Sequence, residues 1–296
     1  MITFGKLLEF RPIKNFLIRL LINSVAKELS HLGTNRIVFY DIGSRWGIWP
    51  RAKAIPLPIY SIGVDADPIE AQRLEAVGAF SRVIPRALSD SNGLRTLYVA
   101  KEPGQSSLRP PDFEVIGRHC TTANHEIVKE IPLDACTLDE AIQEYQLPPP
   151  DFIKFDVEGS DIDIIQASIS TLQTSCCGLF FEARLAPFYQ GEKLLGDGLQ
   201  FLTANGFSPL QIDSVGSFNG AHLLFDCGLV PNPRTRTTAL STNQLLKACL
   251  FSLVLENWGY SRFLIEQIAV THQFNNSLLK TLSKRWSAHL PKKEPL

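Results

Sequence analysis

The stretch "RIVFYDIGSRWGIWP", residues 36–50, decides the fold. An apolar run ends at Asp41, and the chain then passes through Gly43 and Gly47. Glycine lets a backbone bend tightly and approach a ligand closely, because it has no Cβ. A buried strand that leaves through such a turn is typical of an open α/β sheet, in which ligands bind beyond the carboxyl ends of the strands. We expect a helix to start after the turn and to point its N-terminal amides at the ligand.

Further apolar runs alternate with helical patterns along the chain, and this alternation predicts a mostly parallel, doubly wound sheet of the α/β class. Several of the runs are almost continuously apolar, as expected for strands that are covered on both faces. Seven strands are expected, at Ile37–Asp41, Tyr60–Asp65, Arg82–Ala87, Phe152–Asp156, Gly178–Glu182, Phe207–Ile212 and Leu223–Cys227.

A long insertion, residues 88–136, interrupts the alternation. It contains the stretch "LRTLYVA", which predicts a hairpin, and a Gly/Ser/Pro-rich stretch. Loops of this length in compact domains are usually lids or binding loops. Residues 101–112 are therefore the candidate lid, and Ser106 or Ser107 could touch the substrate.

Both ends of the chain are expected to be helical extensions, 1–35 and 231–296, on either side of the main domain, 36–230. Apolar residues recur at helical spacing between Phe10 and Leu21, with basic residues between them. One interpretation packs this amphipathic helix on its own domain, and another lays it on a membrane surface or a partner. No run of eighteen apolar residues exists and no secretory signal is recognisable, so we expect a cytoplasmic protein.

Composition limits the remaining function classes. The chain has 296 residues, 45% of them hydrophobic, and a net charge of −1, so no global field attracts nucleic acid. The six cysteines form no C-x-x-C pair and fit no disulfide or zinc framework, so reduced thiols are expected. The nearest approach to a ligand cluster is His119, Cys120 and His125, whose spacing suits no standard site, and we predict no metal.

A second acid lies at a distance that suits a ribose. Asp65 ends the second expected strand eighteen residues after Gly47, where a carboxylate could accept both ribose hydroxyls. Dinucleotide binders use G-x-G-x-x-G, and Arg45 and Ile48 break that pattern. The remaining D-x-G-x-x-x-G pattern, starting at Asp41, suits S-adenosylmethionine, whose amino-acid end the turn could hold. A tight turn with no ligand is the alternative.

The segment "PDFIKFDVEGSDIDIIQAS", residues 150–168, is another buried strand that ends in acids. In a doubly wound order it would lie beside the first strand, so Asp156 and Glu158 would face the same crevice. A carboxylate there could accept a hydroxyl proton and offset a sulfonium charge, or could instead cap the following helix. Glu182 ends another strand and either faces the substrate or forms a structural ion pair with Arg184.

Taken in order, these segments resemble the FkbM-type S-adenosylmethionine-dependent methyltransferases. The likeness covers roughly residues 36–227 and is most specific in D-F-I-K-x-D-V-E-G. The matching segments are "IVFYDIGSRWG", "GVDADP", "ALSDSNGLRTLYV", "GQSSL", "TLDEAI", "DFIKFDVEGSDIDIIQAS" and "FFEARLAPFYQGEKLLGDGLQFLTANGF". The resemblance implies a seven-stranded class I, Rossmann-like sheet, S-adenosylmethionine as cofactor, and O-methylation of a hydroxyl on a sugar, a glycan or a secondary metabolite.

The resemblance also implies roles for single residues. It places Asp65 and Ala66 near the ribose of the cofactor, and Ser89 and Asp90 near its adenine. Near the amino-acid end of the cofactor it places Asp41, Gly43, Ser44 and Gly47. Near the transferring methyl it places Asp156 and Glu158, and the acids Asp156, Glu158 and Glu182 are the candidate catalytic residues. Two departures are that Ser44-Arg45 replaces the family's common Ala-Asn, and Asp65 stands where Glu is commoner.

Two other functions compete with this hypothesis. A nicotinamide-dependent oxidoreductase is disfavoured by the broken glycine pattern, and a non-catalytic protein with the same fold is disfavoured by the intact acids. Nucleic-acid methylation is a weaker option, because no N/D-P-P-Y tetrapeptide follows the strand that ends at Asp156 and no basic stripe with interleaved aromatic residues is recognisable. The expected partner is a small-molecule or glycan acceptor, and the sequence leaves peripheral membrane contact and a homodimer open.

Overall fold

The computed structural model describes residues 11–236 and 239–287. Phe10, the first apolar residue of the expected N-terminal helix, and the basic tail "KKEPL" lie outside the described residues. The chain divides into two compact units. The sheet unit comprises residues 38–50 and the described part of 59–237, and the helical unit comprises 51–58 and the described parts of 1–37 and 238–296.

Seven strands form the main sheet, and a smaller sheet has three. The strands are β1 (Ile37–Ile42), β2 (Ile59–Val64), β3 (Arg82–Ile84), β4 (Ala87–Leu88), β5 (Gly93–Ala100), β6 (Ile127–Cys136), β7 (Phe152–Phe155), β8 (Gly178–Arg184), β9 (Phe207–Phe218) and β10 (Ala221–Pro231). The main sheet has the order β3-β2-β1-β7-β8-β10-β9, and β10 is antiparallel to both of its neighbours. The expected α/β, doubly wound sheet of the class I methyltransferase type is therefore confirmed.

The centre of the main sheet is buried, as the apolar runs predict. All six residues of β1 are buried, and β1 pairs in parallel with β7, so that Ile42 lies opposite Phe155. The strands that carry the two candidate acidic turns are thus neighbours, as the doubly wound order requires. Both turns emerge at the same edge of the sheet.

The third expected strand differs from its prediction. It was expected to run over residues 82–87, but β3 ends at Ile84, and Pro85 then interrupts the ladder because it has no N–H to donate. The chain continues as β4 in the second sheet, whose order is β4-β6-β5. The stretch "LRTLYVA" is indeed a strand, β5, and its antiparallel partner is β6, which begins 27 residues later at Ile127.

The described helices separate the strands of the main sheet in most places, but one expected helix did not form. They are α1 (Arg11–His31), α2 (Pro68–Ala76), α3 (Phe113–His119), α4 (Leu138–Glu144), α5 (Asp161–Ala167), α6 (Ile169–Ser175), α7 (Leu195–Ala204), α8 (Thr242–Val254), α9 (Trp258–Thr271) and α10 (Ser277–Ser287). The helix expected directly after the first glycine turn is absent from the described chain, and a five-residue 3₁₀ helix, Pro50–Ala54, takes its place. The expectation was wrong because Pro56 and Pro58 cannot donate the N–H groups that a longer α-helix needs.

In the described part of the helical unit, four α-helices pack in a ring. Helix α1 packs on α8 and α10, and α9 packs on the same two helices. The N-terminal and C-terminal segments, which the sequence analysis treated as separate extensions, thus fold together, while the exact boundaries at 35 and 230 stay predictions. Among the described residues, no helix is long and apolar enough to cross a membrane. All six cysteines are free thiols, as expected.

Candidate active site

A cavity of about 300 Å³ opens at the carboxyl ends of β1, β2 and β7. This volume is at the lower end of the range typical of small-molecule sites. Its lining includes the end of β1 and its turn (Ile42, Gly43, Arg45, Trp46), the turn after β2 (Val64, Asp65, Ala66, Asp67), parts of the second sheet (Arg86, Ala87, Leu88, Leu97), residues 102–108, and the acidic side (Asp156, Val157, Glu158, Glu182). All of these residues belong to the sheet unit.

Gly43 lies where the carboxyl ends of β1, β2 and β7 meet. Its N–H donates a hydrogen bond of 2.9 Å to the Val64 carbonyl, and its φ is +78°. A Cβ at this position would lie 1.8 Å from the Asp156 carbonyl oxygen. Gly47 has a φ of +87°, has nothing within 4 Å of its Cβ position, and does not line the cavity. Glycine is therefore required at position 43 because the Asp156 carbonyl approaches it closely, whereas Gly47 only closes the turn.

Asp41 stabilises the turn from beneath and does not line the cavity. Its fully buried carboxylate accepts hydrogen bonds from the Trp49 N–H at 2.7 Å and from the Lys154 Nζ at 3.2 Å. Burial raises the pKa of Asp41, and Lys154 opposes the shift. The same Lys154 Nζ lies 3.1 Å from Asp156, so it positions that acid at the cavity wall. Ser44 is also buried beneath the turn, with no hydrogen-bond partner for its hydroxyl.

Asp65 lines the cavity as the sequence predicts. Its carboxylate accepts the Asp67 N–H at 2.9 Å, and Ala66 lines the wall between them. Burial raises the pKa of Asp65 to about 6, although the Asp67 N–H and Arg45 oppose the shift. Arg45 forms an ion pair with Asp67 at 2.9 Å, so its guanidinium lines the cavity without filling it.

Ser89 and Asp90, expected beside an adenine, do not line the cavity. The Asp90 carboxylate accepts hydrogen bonds from the Ser89 and Ser91 hydroxyls and pairs with Arg95 at 3.5 Å. The apolar wall at this end comes instead from Leu88 and Leu97, with Arg86 beside them. These residues could not be expected at the cavity from a third strand that runs past Pro85, and that proline was the signal that could have revealed them.

Three carboxylates form the opposite wall of the cavity. Oxygens of Asp156, Glu158 and Glu182 lie within 4.8 Å of one another. Burial raises the pKa of Glu158 and also raises that of Glu182 well above its ordinary value, and the charge of Glu158 adds to the shift on Glu182. Such a group could also hold a cation, but Arg184 already supplies balancing charge. The prediction that no metal is used stays a prediction.

Arg184 holds the acids together from behind. It is buried, it pairs with Glu158, and it lies 3.4 Å from Glu182 and 3.2 Å from Glu192. The structural ion pair considered for Glu182 is thus present, and Glu182 lines the cavity as well. Neither Asp156 nor Glu158 caps the next helix, because its N-cap residue is Ser160, and the Ser160 side chain forms no capping hydrogen bond.

Residue Glu158 also carries backbone strain, since its φ is +55°. A non-glycine residue in this region costs about 1–3 kcal/mol and persists only where its surroundings enforce it. Here Gly159 follows with a φ of +87°, and a Cβ on it would lie 2.8 Å from the Tyr189 ring. The turn after β7 is therefore held in one conformation, which fixes the acids against the cavity.

Residues 102–108 of the candidate lid, 101–112, line the cavity beside this acidic wall. The Ser107 hydroxyl donates to the Glu158 carbonyl at 2.5 Å, and the Ser106 hydroxyl accepts the Ala100 N–H at 3.1 Å. The Tyr189 hydroxyl lies 3.0 Å from the Gln105 carbonyl and 3.1 Å from the Glu158 carboxylate. Both serines line the cavity, as expected, but their hydroxyls already have protein partners.

Trp46 lines the mouth of the cavity and does not block it. Its side chain is 78% exposed, and the indole Nε1 lies 3.8 Å from the Cβ position of Gly104 in the candidate lid. The sequence places the Arg45-Trp46 pair near the expected cofactor but indicates no particular contact for the indole. Its position within the first glycine turn was the available signal.

Comparison with known proteins bears on the fold and the family. The model of the methyltransferase FkbM domain matches residues 6–209. Comparison with curated proteins finds no match. The solved methyltransferase FkbM from Methylobacillus flagellatus KT is similar at 13% identity with a TM-score of 0.41, and the likeness covers 66% of this chain and 44% of that chain. The chain thus spans less than half the length of that protein.

Two other solved structures are also similar. One is the magnesium protoporphyrin IX methyltransferase (ChlM) from Synechocystis PCC 6803, at 13% identity and a TM-score of 0.34, covering 78% of this chain and 86% of that chain. The other is TrmK from M. capricolum, at 11% identity and a TM-score of 0.31, covering 90% of this chain and 93% of that chain.

Proposed function

Because the chain belongs to the methyltransferase FkbM family, we propose that it transfers a methyl group from S-adenosylmethionine to a hydroxyl oxygen of a sugar, a glycan or a secondary metabolite. The observation that carries this proposal is one cavity with Asp65 on one side and three carboxylates on the other. The acids suit a ligand that carries ribose hydroxyls and a positive charge.

The lining residues fit this cofactor. Asp65 would accept the ribose hydroxyls, the bare backbone at Gly43 would approach the amino-acid end, and Leu88 and Leu97 would pack on the base. A dinucleotide fits less well, because no α-helix follows the first turn and its pyrophosphate would meet few amides and many acids. When bound, S-adenosylmethionine supplies an electrophilic methyl group on a positively charged sulfur.

The chain's own acids would perform the proton chemistry. Glu182 is the preferred general base, because its raised pKa makes its carboxylate a stronger proton acceptor than an ordinary glutamate. Its oxygen would take the hydroxyl proton while the acceptor oxygen forms the new bond to the methyl carbon, and the electron pair of the broken carbon–sulfur bond would leave with the sulfur, which becomes neutral. Asp156, held by Lys154, and Glu158, held by Arg184, would line the same wall beside the positively charged sulfur.

A binding experiment tests the cofactor. Thermal unfolding with S-adenosylhomocysteine at 100 times its dissociation constant should gain about 2.7 kcal/mol of stability. Reduced nicotinamide cofactor at the same concentration should give no gain. Asp65→Asn should weaken binding, and Glu75→Asn, on the outer part of α2, should not. Stabilisation by the nicotinamide cofactor alone would contradict the proposal.

A transfer experiment tests the reaction. The full chain is incubated with methyl-labelled S-adenosylmethionine and a panel of sugars, glycans and phenolic or aliphatic alcohols. Label in a product that survives mild base indicates an ether, whereas a methyl ester would be hydrolysed. Glu182→Gln should reduce kcat more than KM. Label found only on nitrogen or on a carboxylate would contradict O-methylation of a hydroxyl.

A further inference from the structure

The charges of the chain are divided unequally between its two units. The described helical unit, residues 11–37, 51–58 and 239–287, contains twelve Lys and Arg residues and three Asp and Glu residues. The described sheet unit contains fourteen basic and twenty-five acidic residues. The near-zero net charge of the whole chain therefore conceals a strongly basic helical unit.

The three described acids of the helical unit offset only part of this basic charge, and one of them, Glu266, pairs with Arg262 at 2.8 Å. Glu28 is fully buried and Glu266 is 9% exposed. Glu256 is exposed, but it is paired with Lys14 at 3.2 Å. The solvent-facing side of the unit is consequently dominated by cations.

Helix α1 presents an apolar and basic stripe to solvent. Phe16 is 62% exposed and Leu20 is 40% exposed, and Arg19 and Lys27 are exposed on the same side. The spacing of three, four and seven residues places all four on one face of the helix. The opposite face supplies buried core residues, Ile18, Leu21, Ile22, Val25, Ala26 and Leu29.

Helix α10 extends this stripe. Its N-terminus is fixed beside the second half of α1, because the Asn275 and Asn276 N–H groups donate to Glu28 at 2.9 and 2.8 Å. At its other end, Trp286 packs edge-on against Trp258, close to the Lys14 partner Glu256. The two helices are therefore antiparallel, and the last turns of α10 lie level with the first half of α1.

Three of the five exposed residues of α10 within 277–286 are basic, and the other two are Ser277 and Thr281. Lys280, Lys284 and Arg285 are exposed, while Leu279 is buried against the ring of helices. An eleven-residue helix is about 16 Å long, which matches about eleven residues of α1 and brings Arg285 level with Leu20 and its neighbours. The two stripes together form one surface, the α1/α10 face, with apolar residues between cations.

We propose that the α1/α10 face docks on an anionic lipid membrane surface. Cations attract acidic headgroups, and each Lys or Arg near such a surface strengthens binding about fivefold. Phe16 and Leu20 can enter the headgroup boundary, as the apolar residues of interfacial helices do. A nucleic acid would need only the cations of this face. The exposed apolar pair Phe16 and Leu20, together with the charge complementarity, therefore favours a lipid surface. This proposal does not depend on the methyl-transfer chemistry.

Vesicle flotation tests the proposal with the full chain. Vesicles of phosphatidylcholine with 30% phosphatidylserine should bind the protein more than about tenfold better than vesicles of phosphatidylcholine alone, and added salt should weaken the binding. Lys280→Glu with Lys284→Glu should reduce the binding more than about tenfold. Phe16→Ser with Leu20→Ser should reduce it at all salt concentrations. Circular dichroism confirms that each variant is folded.

Matched controls separate this surface from general charge and hydrophobicity. Lys101→Glu with Lys129→Glu makes the same change in charge on the sheet unit, and Val270→Ser removes an apolar side chain that is 80% exposed on α9. Neither control should alter vesicle binding. Equal binding to both vesicle types, equal losses in the controls, or binding of a polyanionic RNA without binding of vesicles would each overturn the proposal. A change in dimerisation alone would assign the face to a second copy of the chain and overturn it too.

Discussion

Gly43 and Gly47 both have a positive φ, +78° and +87°, but their surroundings differ, and this difference predicts different costs of substitution. Gly43→Ala places a Cβ 1.8 Å from the Asp156 carbonyl oxygen, so one of the two turns must move. We expect a loss of about 3 kcal/mol or more in the free energy of unfolding, measured in urea, and loss of cofactor binding. Gly47→Ala meets no atom and should cost only the backbone strain, about 1–2 kcal/mol. Equal losses would mean that close approach is not what requires Gly43.

The raised pKa of Asp65 predicts a pH dependence of binding. A ribose would bind the ionised carboxylate. Because burial raises the pKa of Asp65 to about 6, the protonated form dominates at a pH below this value. The dissociation constant for S-adenosylhomocysteine, measured by calorimetry, should therefore rise as the pH falls through this value, by about tenfold per unit well below it. Asp65→Asn should bind more weakly and lose this dependence. An unchanged slope in Asp65→Asn would assign the titration to another group.

Sequence reasoning found the cavity residues that directly follow strands, and it failed where a strand ended differently. Asp65, Asp156 and Glu158 lie just past their strands and face the cavity. Asp41 was expected to do the same, but β1 continues to Ile42. Asp41 is therefore inside the strand and not just past its end. Since side chains alternate between the two faces of a strand, the Asp41 side chain points into the buried interior.

At the scale of elements, Arg184 on β8 connects this strand to the turn after β7 and to Glu192. Arg184→Met should leave three partly or fully buried carboxylates without their cation and cost about 3–5 kcal/mol of stability in urea unfolding. Arg118→Met is the control, because its pair with Glu114 is exposed and should contribute almost nothing. A small loss for Arg184→Met would show that the acids are protonated and need no cation.

Tyr189 connects the candidate lid to the acidic wall. Tyr189→Phe removes the hydroxyl that contacts Gln105 and Glu158, and a buried hydrogen bond contributes about 1 kcal/mol. Amide hydrogen exchange in residues 105–108, measured by mass spectrometry, should become about fivefold faster. Tyr145→Phe, which changes a half-buried ring on another helix end, should leave that exchange unchanged. Identical exchange in both variants would show that Tyr189 does not restrain the segment.

The order and type of most elements could be predicted, because apolar runs and helical patterns alternate along the chain. Two departures have local causes. Prolines after the first turn limit the expected helix to the short segment Pro50–Ala54, and Pro85 divides the third expected strand. The second sheet could not be derived from local pattern, because β5 pairs with a strand 27 residues beyond its end.

At the scale of the whole molecule, Glu28 on α1 connects this helix to the segment that precedes α10, 247 positions later in the chain. Burial alone would raise its pKa, but hydrogen bonds from the Asn275 N–H, from His272 and from the Asn276 N–H outweigh burial and lower it below 4.5. The stabilisation is therefore fully present above pH 4.5 and is lost as the pH falls further. Glu28→Gln should lose about 1–3 kcal/mol at pH 7, and less in acid.

Thermal unfolding of the wild type and of Glu28→Gln between pH 3 and pH 7 measures this difference. Glu256→Gln, which removes an exposed partner of Lys14 in the same unit, is the control and should behave like the wild type. A difference between Glu28→Gln and the wild type that grows in acid would contradict the assigned direction of the pKa. The sequence gives no local sign of this connection, because Glu28 and Asn275 are 247 positions apart.

The distribution of sulfur in the chain has a practical consequence. Five of the six thiols are buried, and only Cys120, at the end of α3, is partly accessible. Its neighbours include Ile116 and the aromatic pair Phe188 and Tyr189, which lie beside the candidate lid. A maleimide dye would consequently attach to the wild-type chain at one position, and slowly, because burial raises the pKa of that thiol. Its emission would report opening of the cavity in real time without any engineered cysteine.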